Sequence, residues 1–200
     1  CSSLSKLIIP QSVNEIGNCA FLKCYSLNEI HIPSPLKLIG GHTFAKCSSL
    51  NEIKIPNSVT TIEENAFEGC SSLSKIIIPS SVIKIDDISF MNCSSLTTLI
   101  IPNSVKSIGM CAFCGCSSLI DLIIPDSVNL IDHHAFSNCS SLEKITIDPY
   151  KTKVEIDSFN NCFKLKYLIY GESVQIIKKH PQYYFNILNN ILKISAIKIP

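Results

Sequence analysis

Cysteine and histidine are the residues of this chain whose types and spacing could do chemistry. Three of the eleven cysteines lie outside a repeating pattern that holds the others, at Cys19, Cys111 and Cys114. Cys111 and Cys114 form a C-x-x-C pair, and His134 follows Cys111 by 23 residues. If coils of that length stack, Cys111, Cys114 and His134 would converge as a zinc site or as a thiol beside a histidine base. The alternative is a solvent-facing turn whose residues are unconstrained.

The other eight cysteines recur every 23 residues: Cys1, Cys24, Cys47, Cys70, Cys93, Cys116, Cys139 and Cys162. Phenylalanine and proline keep the same period, and the unit reads C-S-S-L-x-x-I-x-I-P-x-S-V-x-x-I-x-x-x-A-F-x-x, as in residues 70–92. Such a period predicts a solenoid. We expect all eight periodic cysteines to be buried as free thiols, since parallel in-register side chains point the same way and strain a disulfide between coils.

Each unit also contains the elements that position these residues. The spacing L-x-x-I-x-I alternates as in a strand with one buried face, and the following proline ends the ladder because it has no N–H. V-x-x-I predicts a second short inward-facing stretch, and A-F with Cys three residues later predicts one helical or 3₁₀ turn. We therefore expect a mainly β, right-handed coil with a parallel sheet and short helical turns opposite it.

The repeat also sets the expected domain organisation. We expect residues 1–200 to form a single domain, in which eight units fill residues 1–184. The next match to the strand pattern follows an inserted segment at 178–190, so residues 194–200 begin a ninth strand. The chain opens at Cys1 without Met or a signal peptide and stops at Pro200, which indicates a fragment of a longer protein.

The outward positions of the predicted strands are candidates for ligand binding. One outward column carries mixed charges and has the pattern of a solvated face, whereas the other contains three successive isoleucines. Contiguous exposed apolar residues favour an interaction surface; the alternative is that β-branched residues merely suit a sheet. The candidate ligand-binding residues on these strands are Ile77, Ile100, Ile123, Lys54, His31, Asp121 and Lys75.

Charge and composition argue against several classes of function. The net charge is +1 and all 17 basic residues are lysine, which disfavours nucleic-acid binding because arginine dominates base and phosphate recognition. No segment reaches the roughly 18 apolar residues of a membrane span. The sequence contains no nucleophile motif and no phosphate-binding glycine loop. We therefore predict no catalytic residue, no cofactor and no enzymatic activity.

The unit resembles the 23-residue leucine-rich repeat of the Treponema type, found in BspA-like surface proteins. The residues of one unit that match are Leu96, Leu99, Ile101, Pro102, Ser104, Val105, Ile108, Gly109, Ala112, Phe113 and Cys116. The departures are local: Asp148 replaces the expected proline, and the glycine after isoleucine survives only at Gly17, Gly40 and Gly109.

The resemblance implies a leucine-rich-repeat solenoid with a concave sheet and without enzymatic activity. It also implies a cell-surface or secreted adhesion-type protein that binds a protein or cell-surface ligand, with a cytoplasmic location left open. One alternative is a purely structural rod that displays another domain. A second is a metal or thiol site at Cys111, Cys114 and His134.

Overall fold

The computed structural model describes residues 1–148, 150–155, 157–170 and 173–176. Its regular structure consists of short strands, and no described residue lies in an α-helix or a 3₁₀-helix. Equivalent residues of successive coils pair 23 positions apart, as Ile76 does with Leu99. The predicted parallel-strand solenoid is confirmed.

One sheet, called the concave sheet below, is built from the I-x-I strands. Its parallel strands are β1 (Lys6–Ile8), β2 (Glu29–His31), β4 (Glu52–Lys54), β6 (Lys75–Ile77), β8 (Thr98–Ile100), β10 (Asp121–Ile123), β12 (Lys144–Thr146) and β14 (Tyr167–Tyr170). β1 pairs with β2, and β4 to β14 form a continuous sheet. In β6 the central Ile76 is buried while its two neighbours face solvent, because successive side chains of a strand alternate between faces.

A second parallel sheet is formed by two-residue strands. They are β3 (Leu38–Ile39), β5 (Thr61–Ile62), β7 (Lys84–Ile85), β9 (Ser107–Ile108), β11 (Leu130–Ile131) and β13 (Lys153–Val154). Val82 and Ile85 are both fully buried, as the V-x-x-I spacing predicts. The pairing of these stretches into a continuous sheet goes beyond that prediction.

The A-F segment closes each coil with hydrogen-bonded turns. Cys70 N donates to Phe67 O at 3.2 Å within the coil, whereas Phe67 N donates to Ser89 O of the next coil at 2.7 Å. Alternate N–H groups therefore serve the turn and the neighbouring coil. A helix needs all of these donors within its own segment. The predicted helical or 3₁₀ turn is wrong because the adjacent coil takes every second donor.

Two residues of each such turn adopt the left-handed backbone conformation, four positions apart. In one coil these are Asn65 (φ 58°) and Gly69 (φ 70°), and both donate their N–H to the next coil. Asn and Gly tolerate positive φ, whereas β-branched residues rarely adopt it. Ile88 (φ 59°) is such an outlier in the following coil. The residues with positive φ thus point their N–H groups along the axis of the solenoid, toward the next coil.

The core consists of columns of identical side chains. Six buried phenylalanines extend from Phe44 to Phe159. Together with the partly buried Phe21 they stack ring on ring, with centroids 5.1 to 5.4 Å apart and planes within 14° of parallel. Burying one such side chain stabilises the fold by roughly 1.5–3 kcal/mol. Because each ring is buried by the rings of the adjacent coils, a single coil could not gain this stabilisation by itself.

The last described strand departs from the repeat. β15 (Ser173–Ile176) pairs antiparallel with β14, where the pattern predicts another stretch parallel to its equivalents. The predicted insertion at 178–190 and the ninth strand at 194–200 lie outside the described residues. In the part of the chain described, no helix is long and apolar enough to cross a membrane.

Candidate binding face and thiol sites

The concave sheet carries an isoleucine stripe, defined as Ile77, Ile100 and Ile123. Their exposed fractions are 57%, 66% and 62%. Ile77 and Ile100 are direct register partners on neighbouring strands, so adjacent side chains of the stripe lie about 4.8 Å apart. They face solvent because the central residue of each strand takes the core side. The structure therefore places the three isoleucines together on one open face.

The same outward column continues with polar residues before the stripe. Lys54 is the register partner of Ile77 and is exposed. His31 occupies the column on β2, where its Nε2 lies 3.4 Å from Nε2 of Gln11. Lys54 thus borders the apolar stripe at its N-terminal side, and His31 lies one strand further along the same column.

Lys75 and Asp121 lie in the charged column beside the stripe and are exposed. Asp121 forms an ion pair with Lys144 of the next strand, with Nζ and Oδ2 3.2 Å apart. Exposed pairs of this kind contribute about 0–1 kcal/mol. A ligand can therefore displace this pair with little loss, and the charged column can act as a polar border.

An open groove of about 790 Å³ lies over the C-terminal part of the stripe. Ile100 and Ile123 line it, and Asn103 and Asp126 contribute from the loops that follow their strands. Asp126 is ion-paired with Lys151, and this hydrogen bond raises the pKa of Lys151. An apolar floor with a few polar groups at its edge is the usual character of a binding site. The sequence pattern does not indicate the loop residues of this edge, because the proline of the P-x-S segment marks only where the strand ends.

Seven periodic cysteines are buried and unpaired: Cys24, Cys47, Cys70, Cys93, Cys116, Cys139 and Cys162. Cys1 shares their register but is exposed. The prediction that all eight are buried is therefore wrong for Cys1, because none of the described coils covers its side chain. No disulfide connects the described coils.

The buried thiols have a hydrogen-bonding role that the sequence pattern does not reveal. Six of them, from Cys47 to Cys162, donate their S–H to a phenylalanine carbonyl of the preceding coil, as Cys93 does to Phe67 at 3.4 Å. Burial, followed by the nearby Cys24, raises the pKa of the Cys47 thiol to about 12. Burial also raises the pKa of Cys93 well above its ordinary value. These thiols remain protonated at neutral pH and are poor nucleophiles.

Cys111 and Cys114 lie together on a turn outside the core and are partly exposed. Burial raises the pKa of Cys111, with Cys114 as the next cause through charge and a hydrogen bond between the two side chains. His134 instead places Nδ1 3.2 Å from Ser137 Oγ. Across the described residues, no three His, Cys, Asp or Glu side chains are grouped closely enough to hold a metal ion. The structure brings the two thiols together without the histidine as a third ligand.

The left-handed positions are a second feature that the 23-residue pattern alone does not predict. Cys19, Cys111 and His134 all occupy the first of the two positions in their coils. A signal was present in the sequence, because Asn, Asp or Gly fills one or both of these positions in several coils. Those residues are Asn65, Gly69, Asn92, Gly115, Asn138, Asp157 and Asn161.

Comparison with known proteins agrees with this geometry. The sequence profile of the BspA type leucine rich repeat region, in six copies, matches residues 1–120 and 83–200. A search of curated proteins found no match.

Solved structures provide further likenesses. A leucine-rich repeat protein from Bacteroides ovatus is 30% identical with a TM-score of 0.56, over 86% of this chain and 56% of that protein. The T. pallidum leucine rich repeat protein is 28% identical with a TM-score of 0.67, over 82% of this chain and 68% of that one. This chain thus spans little more than half the length of the Bacteroides protein. The matched profile extends over the whole sequence, and the chain belongs to the BspA-type leucine-rich repeat family.

Proposed function

We propose that this chain is a non-enzymatic scaffold that binds a protein ligand through its concave sheet. The observation that carries the proposal is the isoleucine stripe, in which three large apolar side chains are each more than half exposed on consecutive strands. Contiguous apolar surface of this kind marks interaction sites more often than scattered residues do. Solenoids also commonly bind through their concave face.

The surroundings of the stripe favour a protein ligand with an extended apolar segment. Ile100 and Ile123 form an apolar centre, and Asp121 and Asp126 lie beside them with carboxylates that accept hydrogen bonds. Protein interfaces combine an apolar centre with a polar rim in this way. Apolar side chains of the ligand would contact the stripe, while its N–H groups and cations face the carboxylates.

The substitution Ile100→Lys tests this proposal. Ile100 is 66% exposed, so the variant should keep its free energy of unfolding within about 0.5 kcal/mol. It should nevertheless weaken ligand binding at least tenfold, because a charge would be buried unpaired in the interface. Ile83→Lys is the matched control, since Ile83 is 53% exposed and lies next to β7, away from the concave sheet.

A displayed library of random peptides supplies the probe. Peptides that the wild-type chain selects should lose binding to Ile100→Lys and keep binding to Ile83→Lys. Equal retention by both variants would contradict the proposal and favour a structural rod that displays another domain. A loss of several kcal/mol of stability in Ile100→Lys would mean that Ile100 belongs to the core.

We further propose that the protein acts at the cell surface or after secretion. The support is the resemblance to the BspA-like family, whose members include adhesion-type surface proteins. Antibodies against the chain should label intact producing cells as strongly as permeabilised ones, or should detect the protein in the medium. Labelling confined to permeabilised cells would overturn this location while leaving the binding proposal intact.

A further inference from the structure

We propose that Cys111 and Cys114 are a dithiol that closes reversibly into a disulfide, making this turn a site of thiol–disulfide exchange. Cys114 N donates to Cys111 O at 3.1 Å, so the two residues are the ends of a hydrogen-bonded β-turn. The ends of such a turn lie less than about 7 Å apart between Cα atoms. This distance overlaps the range of about 4.4–6.8 Å that a disulfide requires.

The environment of the two sulfurs separates this pair from the thiols of the core. Both side chains are partly exposed, and Cys114 lies near enough to raise the pKa of Cys111, as the next cause after burial. The nearby Cys116 is buried and donates its S–H to Phe90 O at 3.4 Å, which turns it into the core. A soluble oxidant therefore reaches Cys111 and Cys114 without opening the stack.

The contacts also assign an order to the two thiols. Asn138 Nδ2 donates to Cys114 Sγ at 3.6 Å. Burial, followed by the neighbouring Cys114 and then by the charge of Asp87, raises the pKa of Cys111. A thiol with a raised pKa is a poor nucleophile near neutral pH. Cys114 is thus the attacking sulfur and Cys111 the resolving one.

The exchange balances with a low-molecular-weight disulfide as the oxidant. The Cys114 thiolate attacks one sulfur of that disulfide, forming a mixed disulfide and releasing one thiolate. Cys111 loses its proton to the solvent and attacks Cys114 Sγ, which releases the second thiolate. The two protein thiols are oxidised by two electrons, and the small disulfide is reduced to two thiols.

Cys19 provides a control within the same chain. It is exposed and occupies the same left-handed position as Cys111, with φ 61° against 55°. The residue three positions later is Leu22, where the other coil has Cys114. Cys19 can therefore accept a small thiol but lacks a neighbour in its turn that could resolve the mixed disulfide.

The test uses the whole chain and oxidised glutathione, added until Cys19 carries one glutathione. The protein is then denatured, the remaining thiols are alkylated, and chymotrypsin cuts after Phe113, between the two cysteines. Mass spectrometry should find the fragments that contain Cys111 and Cys114 joined by a disulfide. The mass of the joined species should be that of the two reduced fragments minus two hydrogens. In Cys111→Ser, Cys114 should instead retain glutathione, and a melting curve checks that the variant folds.

Three results would overturn the proposal. Cys111 and Cys114 could remain reduced while Cys19 is modified, or each could retain its own glutathione. Alternatively, the purified chain could hold one zinc ion that Cys111→Ser loses, which would make the pair a metal site.

Discussion

At the scale of single residues, Ile88 holds a backbone conformation that its side chain disfavours. Its φ is 59°, and the equivalent residue one coil earlier is Asn65 at 58°. Left-handed backbone costs an L-residue roughly 1–2 kcal/mol, and Asn is among the residues that tolerate it. We expect Ile88→Asn to raise the free energy of unfolding by about 0.5–1 kcal/mol in urea denaturation, because Ile88 is only partly buried.

The reverse substitution is the matched control for this prediction. Asn65→Ile should lower the free energy of unfolding by about 1 kcal/mol or more, since it introduces the same conflict one coil earlier. If both substitutions changed stability in the same direction, backbone strain would not be the dominant effect at this position.

The cysteines divide by accessibility into two classes. We expect a mild alkylating agent to label Cys1, Cys19, Cys111 and Cys114 in the folded protein. The seven buried thiols should react only after denaturation, because the reagent cannot reach them in the folded protein. Peptide mapping of labelled sites with and without denaturant measures this difference. Rapid labelling of Cys93, which lies at the centre of the stack, would mean that the coils open locally.

Much of this division could be predicted from the sequence. The strict period places the repeated cysteines in one column, and their burial follows from the apolar residues around them. The accessibility of Cys1 depends on which coils surround it, and periodicity alone carries no such information. The closeness of Cys111 and Cys114 follows from the turn, whereas the 23-residue spacing does not indicate that His134 contacts Ser137.

At the scale of the elements, two of the three surviving glycines, Gly40 and Gly109, lie against a side chain of the preceding coil. Asp87 Oδ1 accepts a hydrogen bond from Met110 N at 2.8 Å, and a Cβ added at Gly109 would lie 2.4 Å from that oxygen. Asn18 stands in the same relation to Gly40. At these two positions glycine leaves room for a short Asn or Asp side chain of the preceding coil, which accepts a hydrogen bond from the backbone N–H of the residue after the glycine.

We expect Gly109→Ala to lower the free energy of unfolding by about 1–3 kcal/mol, the usual penalty for overpacking. The added Cβ would also lie 2.7 Å from backbone atoms of Asp86 and Asp87, which cannot rotate away as a side chain can. Gly17→Ala is the control and should be close to neutral, since nothing lies within 4 Å of its Cβ position. Equal effects of the two substitutions in denaturant titrations would contradict the steric argument.

The strands were predicted better than the turns. Alternation of Ile76 with its outward neighbours depends only on local geometry, so it can be inferred from one unit. The turn around Phe67 depends on whether its N–H groups bond within the coil or to the next one. That competition involves two coils at once, and local spacing favours the helical alternative that the structure does not adopt.

At the scale of the whole molecule, the thiol column makes stability depend on alkaline pH. Unfolded thiols have a pKa of about 8.5, whereas burial raises the pKa of Cys47 and Cys162 to about 12. Below about pH 8.5 both states hold these protons, and the thiols do not change stability with pH. Above it the unfolded state loses protons first, so the free energy of unfolding falls by up to about 1.4 kcal/mol per pH unit for each thiol whose pKa burial raises in this way.

Urea titrations at increasing pH should show the free energy of unfolding falling between about pH 8.5, the pKa of unfolded thiols, and about pH 12, the pKa of Cys47 and Cys162. Cys93→Ala removes one buried thiol, so its stability should fall less steeply with pH than that of the wild type. The comparison cancels the contributions of lysine and tyrosine, which the two proteins share. Parallel pH curves would show that the buried thiols do not control alkaline unfolding.

The hydrogen bonds that run from coil to coil also determine how the molecule responds to mechanical force. Tension between the two ends pulls along the axis, so the coil-to-coil contacts bear the load in series and the terminal coil detaches first. Each detached coil of 23 residues adds about 75 Å of extended chain, while the Phe column and both sheets persist in the coils that remain. Stretching therefore proceeds in near-equal steps, and a tether of this kind lengthens under load before it fails.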